Sequence, residues 1–190
     1  MKRVVILASG SGSLAQAIFD ARTTALIGAD IVAVISDRVD AQVLQRAESA
    51  RIESFVIPMM PDRSQWDREI ETLVAALKPD LVVSAGFMRI LSAKFAERFK
   101  VINSHPALLP LFPGAHAVRE ALSAGVKETG TTIHWVDAGM DTGAVIAQER
   151  LDILDGDTEE SLHERIKIRE RGLIVATIAS LLNTLENNNG

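Results

Sequence analysis

Hydrophobic residues in this chain come in short continuous runs, separated by stretches in which they recur every three or four positions. Arg3–Ala8 and Ile31–Ile35 are runs of the first kind, the pattern of strands buried on both faces. Between them Ser9-Gly10-Ser11-Gly12-Ser13 breaks the chain, and Leu14–Arg22 has helical spacing. A helix is expected near Ala41–Ala50 and a short third strand over Ser54–Ile57. Apolar residues at 66, 70, 73, 74 and 77 make Trp66–Leu77 an amphipathic helix. Leu81–Ser84 and Val101–Asn103 read as strands, Ala115–Ser123 as a helix, and Thr131–Val136 and Val145–Gln148 as two more strands. A long helix from Thr158 to Leu182 closes the pattern, capped by Asp157 or Thr158 with Glu159 and Glu160 close behind.

Such alternation predicts an α/β fold, a doubly wound, mostly parallel sheet with helices on both faces. There is no internal repeat and no linker, so one domain is expected over residues 1–185, with a frayed tail at 186–190. Ligands of these sheets gather beyond the carboxyl ends of the strands. Chemistry is therefore expected just after strands.

Composition narrows this further. A chain of 190 residues, 47% hydrophobic, suits one domain with its own core. Twenty basic against twenty-five acidic residues leave a net charge of −5, which argues against a nucleic-acid partner. A small anion remains open wherever positive groups gather. The absence of cysteine excludes disulfides, zinc–thiolate sites and cysteine nucleophiles together. The apolar run after Met1-Lys2-Arg3 is too short for a signal peptide, and no run approaches a membrane span. No membrane partner and a cytoplasmic location are expected; oligomeric state is open, with a homodimer one option.

Four segments carry candidate chemistry. The Ser9–Ser13 turn, between a strand and a helix, suits a phosphate, although a flexible turn reads the same way. Gly86-Phe87-Met88-Arg89-Ile90-Leu91 surrounds one arginine with apolar groups, as a flat ligand bearing a carbonyl or carboxylate requires. Asn103 and His105 lie two apart at a strand end and so share a face, and Pro106, Pro110 and Pro113 stiffen the loop leaving that strand. An amide N–H and an imidazolium N–H aimed at one point make an oxyanion site. In the loop from Val136 to Gly143, Asp141 is placed to reach His105 and raise its pKa, unless it and Asp137 are only turn residues. Glu170 breaks the apolar stripe Leu162, Ile166, Leu173 and Thr177, so its carboxylate needs a partner or a cleft. Lys167, Arg169 and Arg171 lie off that stripe and read as a solvated face, His134 as a supporting or structural residue, and His116 and His163 as unassigned.

In this order and spacing the segments resemble the folate-dependent formyltransferases, nearest the branch acting on phosphoribosylglycinamide. The likeness runs from Arg3 to about Leu182. It is most specific in Gly86–Leu91, in Asn103-Ser104-His105-Pro106-Ala107-Leu108-Leu109-Pro110, and from Gly130 to Val136 and on to Asp141-Thr142-Gly143. The resemblance implies a catalytic trio of Asn103, His105 and Asp141. It implies a folate pocket from Met88, Arg89, Ile90 and Leu91, with Asn103, Asp137, Ala138, Gly139, Met140 and Asp141, and with Arg63 nearby. Gly12, Ser13 and Leu14 would hold the substrate phosphate, and Glu170, with Lys167 close by, the attacking amine. Two departures stand out: many members have asparagine where Leu14 stands, and Lys167 replaces a residue often neutral. The implied co-substrate is 10-formyltetrahydrofolate, with neither metal nor ATP, and the implied reaction is formyl transfer to a glycinamide amine in purine synthesis. A formyltetrahydrofolate hydrolase and an amino-sugar formyltransferase are alternatives on the same site. A sugar-phosphate binding module would explain the Gly/Ser turn but leave Asn103, His105 and Asp141 without a shared purpose.

Overall fold

The computed structural model describes residues 1–187, which build one seven-stranded sheet covered on both faces. Its strands are β1 (Lys2–Leu7), β2 (Ala29–Ser36), β3 (Ser54–Val56), β4 (Leu81–Ser84), β5 (Val101–His105), β6 (Glu128–Trp135) and β7 (Val145–Asp152). In space they run β3-β2-β1-β4-β5-β6-β7. The first five are parallel, while β6 pairs antiparallel with both β5 and β7. The helices are α1 (Ser13–Thr23), α2 (Gln42–Ser49), α3 (Arg63–Leu77), α4 (Ala93–Arg98), α5 (Ala117–Ser123) and α6 (Glu159–Asn187).

Strand alternation divides the core in two. Val4 and Ile6 face a layer with Ile18 of α1 and Ile174 and Ile178 of α6. Val5 and Leu7 face the other layer, with Trp66 and Ile70 of α3 and Phe95 of α4. Strand β5 obeys the same rule: Ile102 belongs to the α1/α6 layer and Val101 to the α3/α4 layer. By parity, Ser104 looks toward α1 and α6, and Asn103 and His105 look the other way.

Several boundaries differ from the sequence pattern. Helix α3 begins at Arg63, because the Asp62 carboxylate accepts from the Ser64 and Gln65 N–H groups ahead of the first apolar position. Helix α4 was not expected; its six residues are too few to show a period, and the Ser92 hydroxyl caps it through the Phe95 N–H. Thr158 and Ser161 cap α6 reciprocally, each backbone N–H reaching the other's hydroxyl. That helix continues to Asn187, past Leu182; the rest of the tail expected at 186–190 lies outside the described residues.

The chain builds outward from β1 to β2 and β3, then returns to place β4 on the other side of β1. Loops leaving β1 and β4 therefore diverge and open a crevice between them. Two hydrogen bonds hold its rims together: Ser9 N–H to the Gly86 carbonyl at 3.1 Å, and Met88 N–H to the Ser9 hydroxyl at 2.8 Å.

Candidate active site

A cavity of about 640 Å³ occupies that crevice and continues past the end of β5 to the loop after β6. Gly12, Ser13 and Leu14 line one end. Gly12 has a φ of +71°, and a Cβ there would lie 2.6 Å from Cβ of Val43 on α2. Helix α2 also turns the loop's carbonyls away from the cavity: Val43 N–H donates to the Gly10 carbonyl at 3.2 Å, and Arg46 Nε to the Ser11 carbonyl at 2.7 Å. No side chain caps α1, so the N–H groups at its start remain for a ligand.

Met88, Arg89, Ile90 and Leu91 line another wall. Arg89 does not stand alone, since its Nε donates to Oδ2 of the buried Asp37 at 2.6 Å. Arg63 is an exception among the expected pocket residues. It lies behind the wall, stacked 5.1 Å from the Trp66 ring and donating to the Ile90 carbonyl. Its place at the start of α3 points it at the loop's backbone rather than the cavity. Ala138 is likewise absent from the lining, whereas Asp137, Gly139, Met140 and Asp141 belong to it.

Asn103 and His105 both reach the cavity, and the antiparallel β5–β6 pairing sets His134 directly opposite Asn103. His134 donates from Nδ1 to the Trp135 carbonyl at 2.8 Å. Its Nε2 lies 3.3 Å from the Asn103 amide nitrogen and 3.4 Å from Asp141 Oδ1. Asp141 takes a left-handed φ of +57°, and its Oδ2 accepts from the Gly114 N–H at 2.8 Å and lies 3.3 Å from His105 Nδ1. The His134 ring, followed by the Gly114 N–H and the charge of His105, holds the Asp141 carboxyl below its ordinary pKa although burial opposes them. It is an anion between two imidazoles.

Two expectations need correction here. His105 titrates below its ordinary value, not above: with 3% of its surface exposed, burial outweighs the pull of Asp141 and of the Phe112 carbonyl. Nor do Asn103 and His105 aim free N–H groups at one point. His105 Nε2 donates to the Phe112 carbonyl at 2.7 Å and its Nδ1 faces Asp141, while one Asn103 N–H is directed at His134. The second Asn103 N–H has no partner among the described residues. The prolines also share their task, since Thr132 Oγ1 ties the loop by donating to the Ala107 carbonyl at 2.6 Å and accepting from Leu109 N–H at 3.1 Å.

Across β5, Glu170 of α6 does turn inward. Its Oε1 accepts from the Ser104 hydroxyl at 2.7 Å, and burial raises its pKa above the ordinary value. Lys167 and His163, one and two turns earlier, line the same cavity. The solvated-face reading of Lys167 was therefore wrong by part of a turn.

Residues 2–178 match the family model described as formyl transferase. The chain belongs to the formyltransferase family. A phosphoribosylglycinamide formyltransferase of Mycobacterium tuberculosis is 50% identical over 183 residues, 94% of this chain and 84% of that protein. The trifunctional purine biosynthetic protein adenosine-3 of Drosophila melanogaster is 44% identical over 188 residues, 96% of this chain but 14% of that much longer protein. A solved phosphoribosylglycinamide formyltransferase from Bacillus halodurans superposes with a TM-score of 0.93 at 38% identity, covering 98% of each chain.

For this formyltransferase the sequence assigns no role to two cavity residues, Ser104 and His163, and only a supporting or structural one to a third, His134. His134 was visible only through its register with Asn103, which depends on the direction of strand pairing. Ser104 sits on the opposite face from its neighbours and gained meaning only with Glu170 beside it. His163 did carry a local signal, lying four positions before Lys167 and seven before Glu170.

Proposed function

We propose that the protein transfers the formyl group of 10-formyltetrahydrofolate to the amine of phosphoribosylglycinamide, releasing tetrahydrofolate. The observation that carries this reading is the division of the cavity by β5. Glu170 and Ser104 lie on one face, and Asn103, His105 and Asp141 on the other. An amine held by the first group would meet a formyl carbon held by the second.

The amine end follows from Glu170. Its pKa is raised, so it is a better proton acceptor than an ordinary carboxylate, suited to a substrate that arrives as an ammonium ion and must attack as an amine. Attack forms the new C–N bond and moves the carbonyl pair onto oxygen. The second N–H of Asn103 is the first donor available to that oxyanion. His105, when protonated, would exchange the Phe112 carbonyl for the stronger anionic acceptor only as the charge develops, which favours the transition state over the ground state. Asp141 supports the imidazolium and would help return a proton to the folate nitrogen as the C–N bond to it breaks. The folate ring fits the apolar wall of Met88, Ile90 and Leu91, and the donor nitrogens of Arg89 left by Asp37 remain for an acidic tail. The N–H groups of Gly12, Ser13 and Leu14 suit the phosphate. Because the formyl donor is already activated, no metal or ATP enters the scheme.

The test is direct. Tetrahydrofolate release from 10-formyltetrahydrofolate is followed with and without phosphoribosylglycinamide, and release is expected only with the amine present. Release without it would make the protein a hydrolase, and no release under either condition would leave a binding module.

A further inference from the structure

His163 stands on the cavity wall, and the proposed chemistry does not use it. Among the described residues it makes no hydrogen bond and no ion pair, although it is half-buried and lines the same cavity as Gly12, Ser13 and Glu170. It stands on the stripe of α6 that also carries Lys167 and Glu170. At the helical rise, Lys167 lies about 6 Å and Glu170 about 10 Å farther along the axis. That is the scale of the glycyl amide and ribose that separate an amine from its phosphate.

Charge strengthens the point. Burial, and then the neighbouring Lys167 ammonium, hold His163 below its ordinary pKa. Lys167 has a partner of its own, with Nζ 2.6 Å from Glu164 on the outer side of the helix. An imidazole packed beside an ammonium, with no acceptor for its N–H, is a poor arrangement by itself. A dianion placed between α6 and the loop at Gly12 would satisfy both side chains at once.

We propose that His163 is a specificity-determining residue that contacts the phosphate of the amine substrate, acting with Lys167 from the α6 side. The proposal rests on the functional reading in which the amine sits at Glu170 and the substrate is phosphorylated. It adds side-chain contacts from α6 to the backbone N–H groups that Gly12, Ser13 and Leu14 offer.

The experiment compares phosphoribosylglycinamide with the same amine lacking its phosphate, using wild type, His163→Leu and His163→Gln. Loss of one hydrogen bond to a charged group should raise KM for the phosphorylated amine roughly tenfold in His163→Leu. The kcat value and KM for the folate should stay within about twofold, as removal of uniform binding requires. KM for the dephosphorylated amine should not move. His163→Gln keeps an N–H donor and should fall in between. If wild type prefers the phosphorylated amine and His163→Leu keeps that preference intact, His163 has no part in it, while the phosphate reading stands. Equal rises in KM for both amines would mean that His163 only shapes the wall, and the proposal fails. A wild type indifferent to the phosphate would overturn the substrate reading and this proposal with it.

Discussion

Asp141 stands between His105 and His134 with one carboxylate oxygen toward each. Its own pKa is lowered, so it is charged throughout the neutral range, whereas burial pulls His105 down. Protonated His105 is therefore lost as pH rises through a value below the usual 6.5. The rate should be limited on the acid side by protonation of the attacking amine and on the alkaline side by loss of the imidazolium. Both limbs report apparent values of the coupled site. Asp141→Asn removes the larger of the two carboxylate charges that favour the imidazolium, leaving only the weaker pull of Glu120. Its alkaline limb should move to lower pH, and the maximum kcat should drop by on the order of 10². Profiles of kcat against pH at saturating substrates decide the matter, provided chemistry limits both proteins. An alkaline limb that stays in place would show that Asp141 does not set the charge on His105.

At the scale of elements, the Gly/Ser loop is shaped by α2 as much as by its own glycines. From the sequence, Gly12 looks like room for a phosphate, yet the crowded side is the protein, where Val43 would meet any added Cβ. Gly12→Ala should push the loop off α2, adding the strain of a left-handed alanine. The expected outcome is a KM for phosphoribosylglycinamide raised about tenfold with the folate KM little changed, an effect of roughly 1.4 kcal/mol. Initial rates with each substrate varied in turn provide the check. Matching rises in both constants would mean collapse of the crevice instead. Elements also mark the limit of what the sequence shows. The buried strands, α3 and the inward turn of Glu170 follow from local periodicity. The opposition of Asn103 and His134 does not, because strand direction and register are settled by residues far apart in the chain. The engaged state of His105 was equally hidden, since Phe112 reaches it only through the path of the proline loop.

For the molecule as a whole, Glu170 sets function against stability. A carboxyl group whose pKa is raised on folding binds its proton more tightly in the native state, so its contribution weakens as pH rises through that raised value. At neutral pH the charged form is a cost to the fold. Glu170→Gln should therefore raise Tm near pH 7 by roughly 2–4 °C, the shift that about 1 kcal/mol gives in a domain of this size. The gain should vanish below about pH 4.5, where the wild-type group is protonated in both states. Affinity for the amine should fall at the same time. Melting curves at the two pH values, read beside KM, test the claim. A lower Tm at pH 7 would show that Lys167 and Arg171 already compensate the charge.

The alternation along β5 has a consequence for how such a protein can change. Residue 104 answers to α6, while 103 and 105 answer to β6 and its loop. In the proposed reaction the odd positions would serve formyl handling and the even position the acceptor, a division of labour written in the parity of the numbering. Substitutions at even positions and on the facing stripe of α6 are free to retune which amine is accepted while the odd positions stay untouched. Gain or loss of a single residue within the strand would exchange the two inventories at a stroke. By this geometry the strand can accept changes of residue, but a change of length would mix the two groups.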